Sequence, residues 1–241
     1  METPTALVTG AAQGLGQEFA AALARRGFRV AGLDIVPQTE TAERVLDYVE
    51  LVGDVTDEHQ VRAALERTVD RFGTLHVVVN NAGVYPAGPF EETSLDDWRR
   101  VLRVNLEGPF VVTRLALPYL KAAGWGRVVN VASAAVFTAP PDMVPYVASK
   151  TGLIGFTRAL ASALGPYGIT VNAIAPSMVR TATAERTVGA DGGFERVRDQ
   201  QAVPRVQEPS DLISTLLYVV DEDSGFLTGQ TLNVSGGSTY A

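Results

Sequence analysis

A tyrosine and a lysine stand four residues apart in the segment Tyr146-Val147-Ala148-Ser149-Lys150. On a helix this spacing places both side chains on one face, about one turn apart. A phenol with an ordinary pKa of about 10 is a poor base at neutral pH, but a neighbouring ammonium favours the phenolate and lowers that pKa. The pair therefore indicates proton transfer by Tyr146 with help from Lys150, although the same spacing also occurs where both residues are structural.

Ser133 is a third candidate for the chemistry. It follows the apolar run Val128-Val129-Asn130-Val131, and open parallel sheets bind their ligands at the carboxyl ends of the strands. A hydroxyl at this place would hold a carbonyl oxygen. Taken alone, the serine in Ala132-Ser133-Ala134 is equally typical of a turn, so its role depends on the elements around it.

A glycine-rich loop spans Thr9-Gly10-Ala11-Ala12-Gln13-Gly14-Leu15-Gly16, after the first apolar run and before a helical pattern. We expect Gly10 to permit a tight turn, Gly14 to let a pyrophosphate approach the backbone, and Gly16 to allow close helix packing. The helix N-terminus would stabilise the phosphates. Glycines alone would indicate only a turn-rich loop, but the strand before and the helix after favour a dinucleotide site.

Asp34 ends the second apolar run, 20 residues beyond Gly14 (34 − 14). A carboxylate there accepts hydrogen bonds from the adenosine ribose and repels a 2′-phosphate. Neither Gln13 nor Ile35 supplies a cation for that phosphate, so the sequence predicts NAD in preference to NADP. The tripeptide Gly53-Asp54-Val55, after the third run, is expected at the adenine edge through its carboxylate. Acids in such places also serve as helix N-caps.

Alternating strand and helix patterns position these residues. Continuous apolar runs are typical of parallel strands covered on both faces. The sequence predicts one α/β domain over residues 1–241, with a doubly wound, mostly parallel, seven-stranded Rossmann-type sheet flanked by helices. The predicted strands are Ala6–Thr9, Arg29–Leu33, Tyr48–Val52, Leu75–Val79, Arg127–Val131, Thr170–Ile174 and Thr231–Val234. The predicted helices are Gly16–Arg26, Glu58–Phe72, Leu95–Leu120, Val144–Leu164 and Pro209–Val220. Residues 176–205 have no clean period and predict a mobile substrate lid.

Composition narrows the class of protein. The 241 residues carry a net charge of −7 without a basic stripe, which argues against nucleic acid as a partner. No apolar stretch reaches the roughly 18 residues of a membrane span, and no signal segment is recognisable, so we expect a cytoplasmic protein without membrane contact. Cysteine is absent, and His59 and His76 do not form a ligand pair, so no metal site is expected.

Together these motifs resemble the short-chain dehydrogenase/reductase family over nearly the whole chain. The residues that carry the resemblance are Thr9-Gly10, Gly14, Gly16, Asn80-Asn81-Ala82-Gly83, Asn105, Ser133, Tyr146 and Lys150. Tyr146 follows Ser133 by 13 positions (146 − 133), a spacing similar to that of the family. The resemblance implies that Tyr146 is the general acid/base, Ser133 orients the substrate oxygen, Lys150 binds the nicotinamide ribose and tunes Tyr146, and Asn105 holds a proton-relay water. From the residues alone, a structural role of Asn105 at a helix bend stays open.

The resemblance and the sequence neighbourhoods together give two sets of expected contacts. The cofactor set is Gly10, Gln13, Gly14, Leu15, Gly16, Asp34, Asp54, Val55, Asn80, Asn81, Ala82, Gly83, Tyr146, Lys150, Val179 and Thr181. The substrate set is Ser133, Tyr85, Val136, Met143, Tyr146 and Met178. In Ala175-Pro176-Ser177 this chain has a serine where the family more often has glycine, which leaves the local backbone angle open.

The expected reaction is reversible hydride transfer between a nicotinamide and a secondary alcohol or ketone. The apolar substrate set favours a hydrophobic or aryl-alkyl substrate, and residues 80–86 and 175–183 resemble the branch that contains 1-phenylethanol dehydrogenases. Sugars, steroids and small diols stay open, because apolar residues near a cleft also serve to pack a lid. A β-ketoacyl carrier-protein reductase and a non-catalytic nicotinamide sensor are the alternatives. The resemblance also implies a homotetramer built from Leu95–Leu120, Val144–Leu164 and the Gly225–Ala241 region.

Overall fold

Seven strands of the chain pair into one parallel sheet. The computed structural model describes residues 3–186 and 192–240. Its strands are β1 (Thr5–Thr9), β2 (Arg29–Asp34), β3 (Val49–Val52), β4 (Val77–Asn80), β5 (Gly126–Val131), β6 (Ile169–Pro176) and β7 (Thr231–Val234). They lie in the order β3-β2-β1-β4-β5-β6-β7, and each of the six neighbouring pairs is parallel. The predicted fold class is confirmed.

Helices cover both faces of this sheet. They are α1 (Gly14–Arg25), α2 (Thr39–Arg44), α3 (Glu58–Phe72), α4 (Leu95–Leu102), α5 (Gly108–Ala122), α6 (Ala135–Thr138), α7 (Val144–Leu164), α8 (Ala182–Ala184), α9 (Gly193–Arg198) and α10 (Ser210–Val220). One apolar core contains residues of α3, α5 and α7, and the other contains residues of α1 and α10. Within residues 3–186 and 192–240, no helix has the length and apolarity to cross a membrane.

The predicted helix Leu95–Leu120 contains a π-helical segment and extends to Ala122. Between α4 and α5, residues Arg103–Glu107 form a π-helical segment, and Asn105 in that segment is completely buried. The apolar spacing on both sides of this segment is helical, so the sequence pattern predicted a single uniform helix. A single wide turn is often associated with a functional site, and this one turns an amide toward the carboxyl edge of the sheet.

The strand order creates a crevice at that edge. β1 pairs with β2 on one side and with β4 on the other, so the chain leaves β1 and β4 toward opposite faces of the sheet. In open α/β sheets, ligands bind at such a reversal, outside the carboxyl ends of the strands. The loops after β1, β4 and β5 begin here with Gly10, Asn81 and Ala132, respectively.

The segment predicted as a lid contains two short helices, α8 and α9. Its residues 187–191 lie outside the described part of the chain. Gln207 fixes the base of the segment, since it pairs with Val179 in a parallel bridge and its carbonyl accepts from the Arg180 amide at 2.8 Å. The buried Gln207 side chain also accepts from the Ser177 amide at 2.9 Å and donates to the Val234 carbonyl at 2.7 Å. Ser177 is therefore held through its backbone.

Candidate active site

The glycine loop packs so closely that side chains would not fit. Gly10 has φ +66°, and a Cβ there would lie 2.9 Å from the Ala82 Cα. A Cβ on Gly16 would lie 2.0 Å from the Gly10 carbonyl oxygen, which no real atom tolerates. Gly14 has φ +60°, and its backbone lies beside Thr181. The loop thus forms a cradle of exposed backbone at the N-terminus of α1, where an anionic group is stabilised.

Hydrogen bonds tie the end of β1 to the end of β4. The Thr9 hydroxyl oxygen accepts from the backbone amides of Asn81 and Ala82, both at 3.0 Å. In return, the Asn81 side chain donates to the carbonyls of Thr9 at 2.9 Å and Gly10 at 3.1 Å. Asn81, which is expected to contact the cofactor, therefore also has a structural role. Thr9 belongs to the sequence motif, but the motif did not predict that its hydroxyl joins the two strand ends.

Asp34 also has a second role. Its carboxylate accepts from the Ala12 amide at 2.9 Å and from the Val36 amide at 3.3 Å, so it holds the glycine loop as well as facing the groove. The fully buried hydroxyl of Thr41 donates to the Ala11 carbonyl at 2.7 Å. The sequence gave no signal for Thr41, because a threonine in a short helix 30 residues from its partner matches no local pattern.

A groove of about 810 Å³ opens at this edge of the sheet. The members of the expected cofactor set that line it are Gly10, Gln13, Gly14, Leu15, Asp34, Asp54, Val55, Asn81, Ala82, Gly83 and Thr181. The groove wall also contains Arg99, Arg100 and Arg103, which sequence reasoning missed. Cations are thus present along the groove although the sequence neighbours of Asp34 supply none.

Asn80 does not line this groove. Its side chain is buried and donates to the Thr113 hydroxyl at 3.1 Å and to the Asn130 amide oxygen at 2.8 Å. The Asn130 side chain in turn donates to the Thr157 hydroxyl at 2.9 Å. The Asn80 side chain joins β4, β5 and the helices behind them, and a contact of this residue with the cofactor stays a prediction.

Asn105 joins three elements from inside the π-helical segment. Its amide oxygen accepts from the Val84 amide, and its amide nitrogen donates to the Val84 carbonyl, both at 2.8 Å. The second amide proton goes to the Ser149 hydroxyl at 3.1 Å. The structural interpretation that the sequence left open is thus correct for the side chain. A water held by this residue stays a prediction.

Tyr146, Lys150 and Ser133 come together beside the groove. The Lys150 ammonium donates to the Val131 carbonyl at 2.7 Å and lies 5.7 Å from the centre of the Tyr146 ring. The Ser133 hydroxyl oxygen accepts from the Ala135 amide at 3.1 Å, and Ser133 also forms a hydrogen bond with Tyr146. The order of these elements, β5 before Ser133 and α7 carrying Tyr146 and Lys150, is the arrangement that the spacing predicted.

The protonation of Tyr146 differs from the expectation. Burial raises the pKa of Tyr146, and Tyr85 raises it further, while the hydrogen bond from Ser133 lowers it. Burial also lowers the pKa of Lys150 from 10.5 to about 8. The pKa of Tyr146 is thus raised in the protein alone, whereas the sequence predicted that it would be lowered.

The expected substrate residues are only partly brought together. Tyr85 lines the groove, and its ring meets the Tyr146 ring edge to face with the centres 6.3 Å apart. Val136 packs against a small apolar cluster that contains Ile154. Met143 directly precedes α7, and Met178 follows β6; both are half-buried. Their grouping around one substrate stays a prediction.

The buried charge of Lys150 should cost stability. We expect Lys150→Met to raise the free energy of unfolding at pH 7 by about 1–2 kcal/mol, because an apolar side chain of similar length needs no desolvation of a charge. The folded pKa of about 8 lies below the ordinary 10.5, so the wild type regains stability as pH rises between these two values. Urea unfolding of both proteins at pH 7, 8, 9 and 10 measures this.

The difference in unfolding free energy should be largest at pH 7 and should shrink toward pH 10. A methionine variant that is no more stable than the wild type at pH 7, or a difference that does not change with pH, would show that the ammonium is well solvated or well paired.

Comparisons with known proteins agree with this geometry. A family model described as enoyl-(acyl carrier protein) reductase matches residues 10–239. Trans-4-hydroxycyclohexanecarboxylate dehydrogenase of Sinomonas cyclohexanicum is 37% identical over 97% of this chain and 92% of its own length. The (2S)-[(R)-hydroxy(phenyl)methyl]succinyl-CoA dehydrogenase subunit BbsD of Thauera aromatica is 35% identical over 98% of this chain and 97% of its own length.

A solved structure extends the similarity to the whole backbone. The crystal structure of a putative short-chain alcohol dehydrogenase from Sinorhizobium meliloti has a TM-score of 0.93 and 31% identity, and the match covers 99% of this chain and 97% of that one. The sheet order, the glycine cradle and the Ser133, Tyr146 and Lys150 cluster all lie within the matched region. The chain therefore belongs to the short-chain dehydrogenase/reductase family of oxidoreductases.

Proposed function

We propose that this protein is an NAD-dependent oxidoreductase that interconverts a hydrophobic secondary alcohol and its ketone. The observation that carries the proposal is the convergence of Tyr146, Ser133 and Lys150 beside a glycine-cradled groove. Each of these residues, taken alone, could have a purely structural role. Their meeting at the carboxyl edge of a parallel sheet favours catalysis, because the fold brings ligands to this edge.

The cradle and the groove fit the family's nicotinamide cofactor. The half-buried backbone of Gly10 and Gly14 lines the groove where the N-terminus of α1 would stabilise a pyrophosphate, and a Cβ at Gly16 would collide with the Gly10 carbonyl. Asp54 and Val55 line one end of the groove, and Gly83 and Thr181 line it further along. When bound, the nicotinamide accepts or supplies the hydride. The protein would orient the cofactor and substrate and manage the proton.

Tyr146 is proposed to exchange the hydroxyl proton of the substrate through its Oη atom. A phenol is protonated at neutral pH, and burial raises the pKa of Tyr146 further, so the side chain can donate a proton to a ketone oxygen. Ser133, fixed through the Ala135 amide, would hold that oxygen within reach of Tyr146. Lys150, anchored on Val131, would bind the ribose of the nicotinamide and bring a positive charge beside a developing phenolate.

The substrate proposal is an aryl-alkyl or cyclic secondary alcohol. Tyr85 gives the groove an aromatic wall next to Tyr146, which suits an apolar ring. Two relatives support this class by name: one is a dehydrogenase of a compound with a hydroxy(phenyl)methyl group, and the other of a hydroxycyclohexanecarboxylate. Both names describe a secondary alcohol attached to, or part of, a six-membered ring.

A β-ketoacyl carrier-protein reductase is the second candidate, and a relative named 3-oxoacyl-[acyl-carrier-protein] reductase, from Staphylococcus aureus and 32% identical over 98% of this chain, favours it. It would use the same Ser133, Tyr146 and Lys150. The net charge of −7 is unfavourable for docking an acidic carrier protein. A non-catalytic nicotinamide sensor is disfavoured because the complete cluster of proton-transfer residues would then have no use.

We also propose a homotetramer. Phe110 of α5 and Phe156 of α7 pack edge to face with ring centres 6.4 Å apart, and the Phe110 side chain is about half exposed. An aromatic pair on the outer faces of two long helices suits burial against a second copy of the chain.

Replacing Tyr146 by phenylalanine should abolish turnover without loss of cofactor. Positioned acid/base groups contribute about 10²–10⁴ to rates, so we expect Tyr146→Phe to lower kcat for ketone reduction at least about 100-fold. NADH fluorescence titration should give an unchanged Kd. Tyr218→Phe, at an exposed tyrosine on α10, is the matched control. Near-normal turnover in Tyr146→Phe would refute the acid/base role.

Two substitutions at Asp34 separate its charge from its hydrogen bonds. Asp34→Asn keeps an acceptor for the Ala12 amide and removes the charge that repels a 2′-phosphate. We expect its preference for NAD over NADP, as a ratio of kcat/KM values, to fall about tenfold, which corresponds to about 1.4 kcal/mol. Asp34→Ala also loses the acceptor, so KM for both cofactors should rise, about fivefold for a lost hydrogen bond. Equal efficiency of the wild type with NAD and NADP would contradict the role of the charge.

A substrate panel tests the reaction itself. We would follow NADH absorbance with 1-phenylethanol, trans-4-hydroxycyclohexanecarboxylate and 3-hydroxybutyryl-CoA, and with the matching ketones in the reverse direction. The proposal expects the highest kcat/KM for 1-phenylethanol and acetophenone, because the aromatic wall at Tyr85 matches a ring beside the carbinol. A clear preference for the CoA thioester would favour the carrier-protein reductase instead.

A further inference from the structure

We propose that Ser149 is a positioning residue that fixes the backbone of Tyr146 to the π-helical segment Arg103–Glu107. The proposal rests on the proposed function, because it concerns the geometry of the presumed acid/base. Ser149 lies between Tyr146 and Lys150 in sequence and is completely buried. Its hydroxyl donates to the Tyr146 carbonyl at 2.7 Å and accepts from the Asn105 amide nitrogen at 3.1 Å.

These bonds belong to a directed network. Both amide protons of Asn105 are used, one by the Val84 carbonyl and one by Ser149, while its oxygen accepts from the Val84 amide. Turning the amide over would place donor against donor and acceptor against acceptor at Val84. The orientation of Asn105 is thereby fixed, and it leaves Ser149 only its acceptor role toward Asn105 and its donor role toward Tyr146.

The network connects the backbone on either side of the Tyr85 and Tyr146 ring contact. Val84 directly precedes Tyr85, whose ring contacts the Tyr146 ring. One end of the network therefore holds the backbone beside Tyr85, and the other end holds the backbone of Tyr146. In a buried setting, such a chain of polar groups rigidifies the parts that it joins. Tyr146 lies in the first turn of α7, and this network fixes its backbone, while Ser133 and Tyr85 contact only its side chain.

A buried serine in a helix has a simpler explanation, which is that its hydroxyl satisfies itself on a carbonyl of the preceding turn. Ser162 on the same helix does this, with its hydroxyl 3.4 Å from the Arg158 carbonyl. Ser162 is exposed, whereas Ser149 also receives a bond from another element. The two serines therefore form a matched pair, with and without the connection.

Kinetic measurements distinguish a role of Ser149 in positioning Tyr146 from a role in the stability of the fold. In Ser149→Ala the second Asn105 proton loses its partner and the Tyr146 carbonyl loses one donor. We expect kcat with the best substrate of the panel to fall about tenfold, the effect of one lost hydrogen bond. The Kd for NADH should stay within about twofold, because the cradle is untouched. Ser149→Cys, nearly isosteric but a weak hydrogen-bonding group, should fall between wild type and Ser149→Ala. Ser162→Ala should match the wild type.

Amide hydrogen exchange gives a readout that does not depend on turnover. Loss of the Ser149 acceptor should free Asn105 and speed exchange of the Val84 amide about tenfold in Ser149→Ala and measurably in Ser149→Cys, but not in Ser162→Ala. Unchanged exchange at Val84 in both Ser149 variants would overturn the proposal. So would a kcat within twofold of the wild type, or an NADH Kd that weakens as much as kcat falls. If the Val84 amide exchanges faster in the Ser149 variants but the wild type turns over no substrate of the panel, the positioning network is supported and the proposed function is refuted.

Discussion

The active site depends on the closure of β1 onto β4 at the carboxyl edge of the sheet. The side chains of Thr9 and Asn81 make four hydrogen bonds to backbone groups of each other's loop. Gly10 lies so close to Ala82 that even a Cβ would collide with it. These contacts satisfy backbone groups that would be orphaned at the edge of a parallel sheet. They also leave the backbone of the glycine loop facing the groove, so the contacts that join β1 to β4 also shape the cofactor cradle.

Buried polar groups carry this constraint from the cofactor side to the chemistry. Asn80 and Asn130 link β4 and β5 behind the groove, while Asn105 links the loop after β4 to the helix that carries Tyr146 and Lys150. Buried amides are costly where their groups are left unpaired. The Asn105 amide has all its groups paired, whereas Asn80 is paired only through its nitrogen, so the orientation of Asn105 is the more tightly fixed of the two.

The sequence predicts the frame far better than the connections within it. Runs such as Val77-Val78-Val79 identify buried parallel strands because apolar content and length are local properties, and glycines after a strand identify the cradle. The apolar spacing does not predict the π-helical segment at Asn105, because the spacing is helical on both sides of it. Thr41, Gln207 and Ser149 were missed for the same reason, since each acts through partners that only the tertiary structure brings near.

The contrast between Asp34 and Lys150 shows how charge is managed in the two halves of the site. Asp34 stays partly exposed, and its carboxylate accepts hydrogen bonds from two backbone amides at the edge of the groove. Lys150 is buried, and its pKa is lowered to about 8. Tyr146 is a phenol whose pKa is raised by burial, so in the proposed reaction the protein without cofactor is ready to donate a proton, as reduction of a ketone requires. Oxidation would need the phenol to lose its proton first, and a positive charge on a bound nicotinamide together with the Lys150 ammonium would make that loss easier. The preferred direction would then be set by the charge of the cofactor that occupies the groove as well as by the protein.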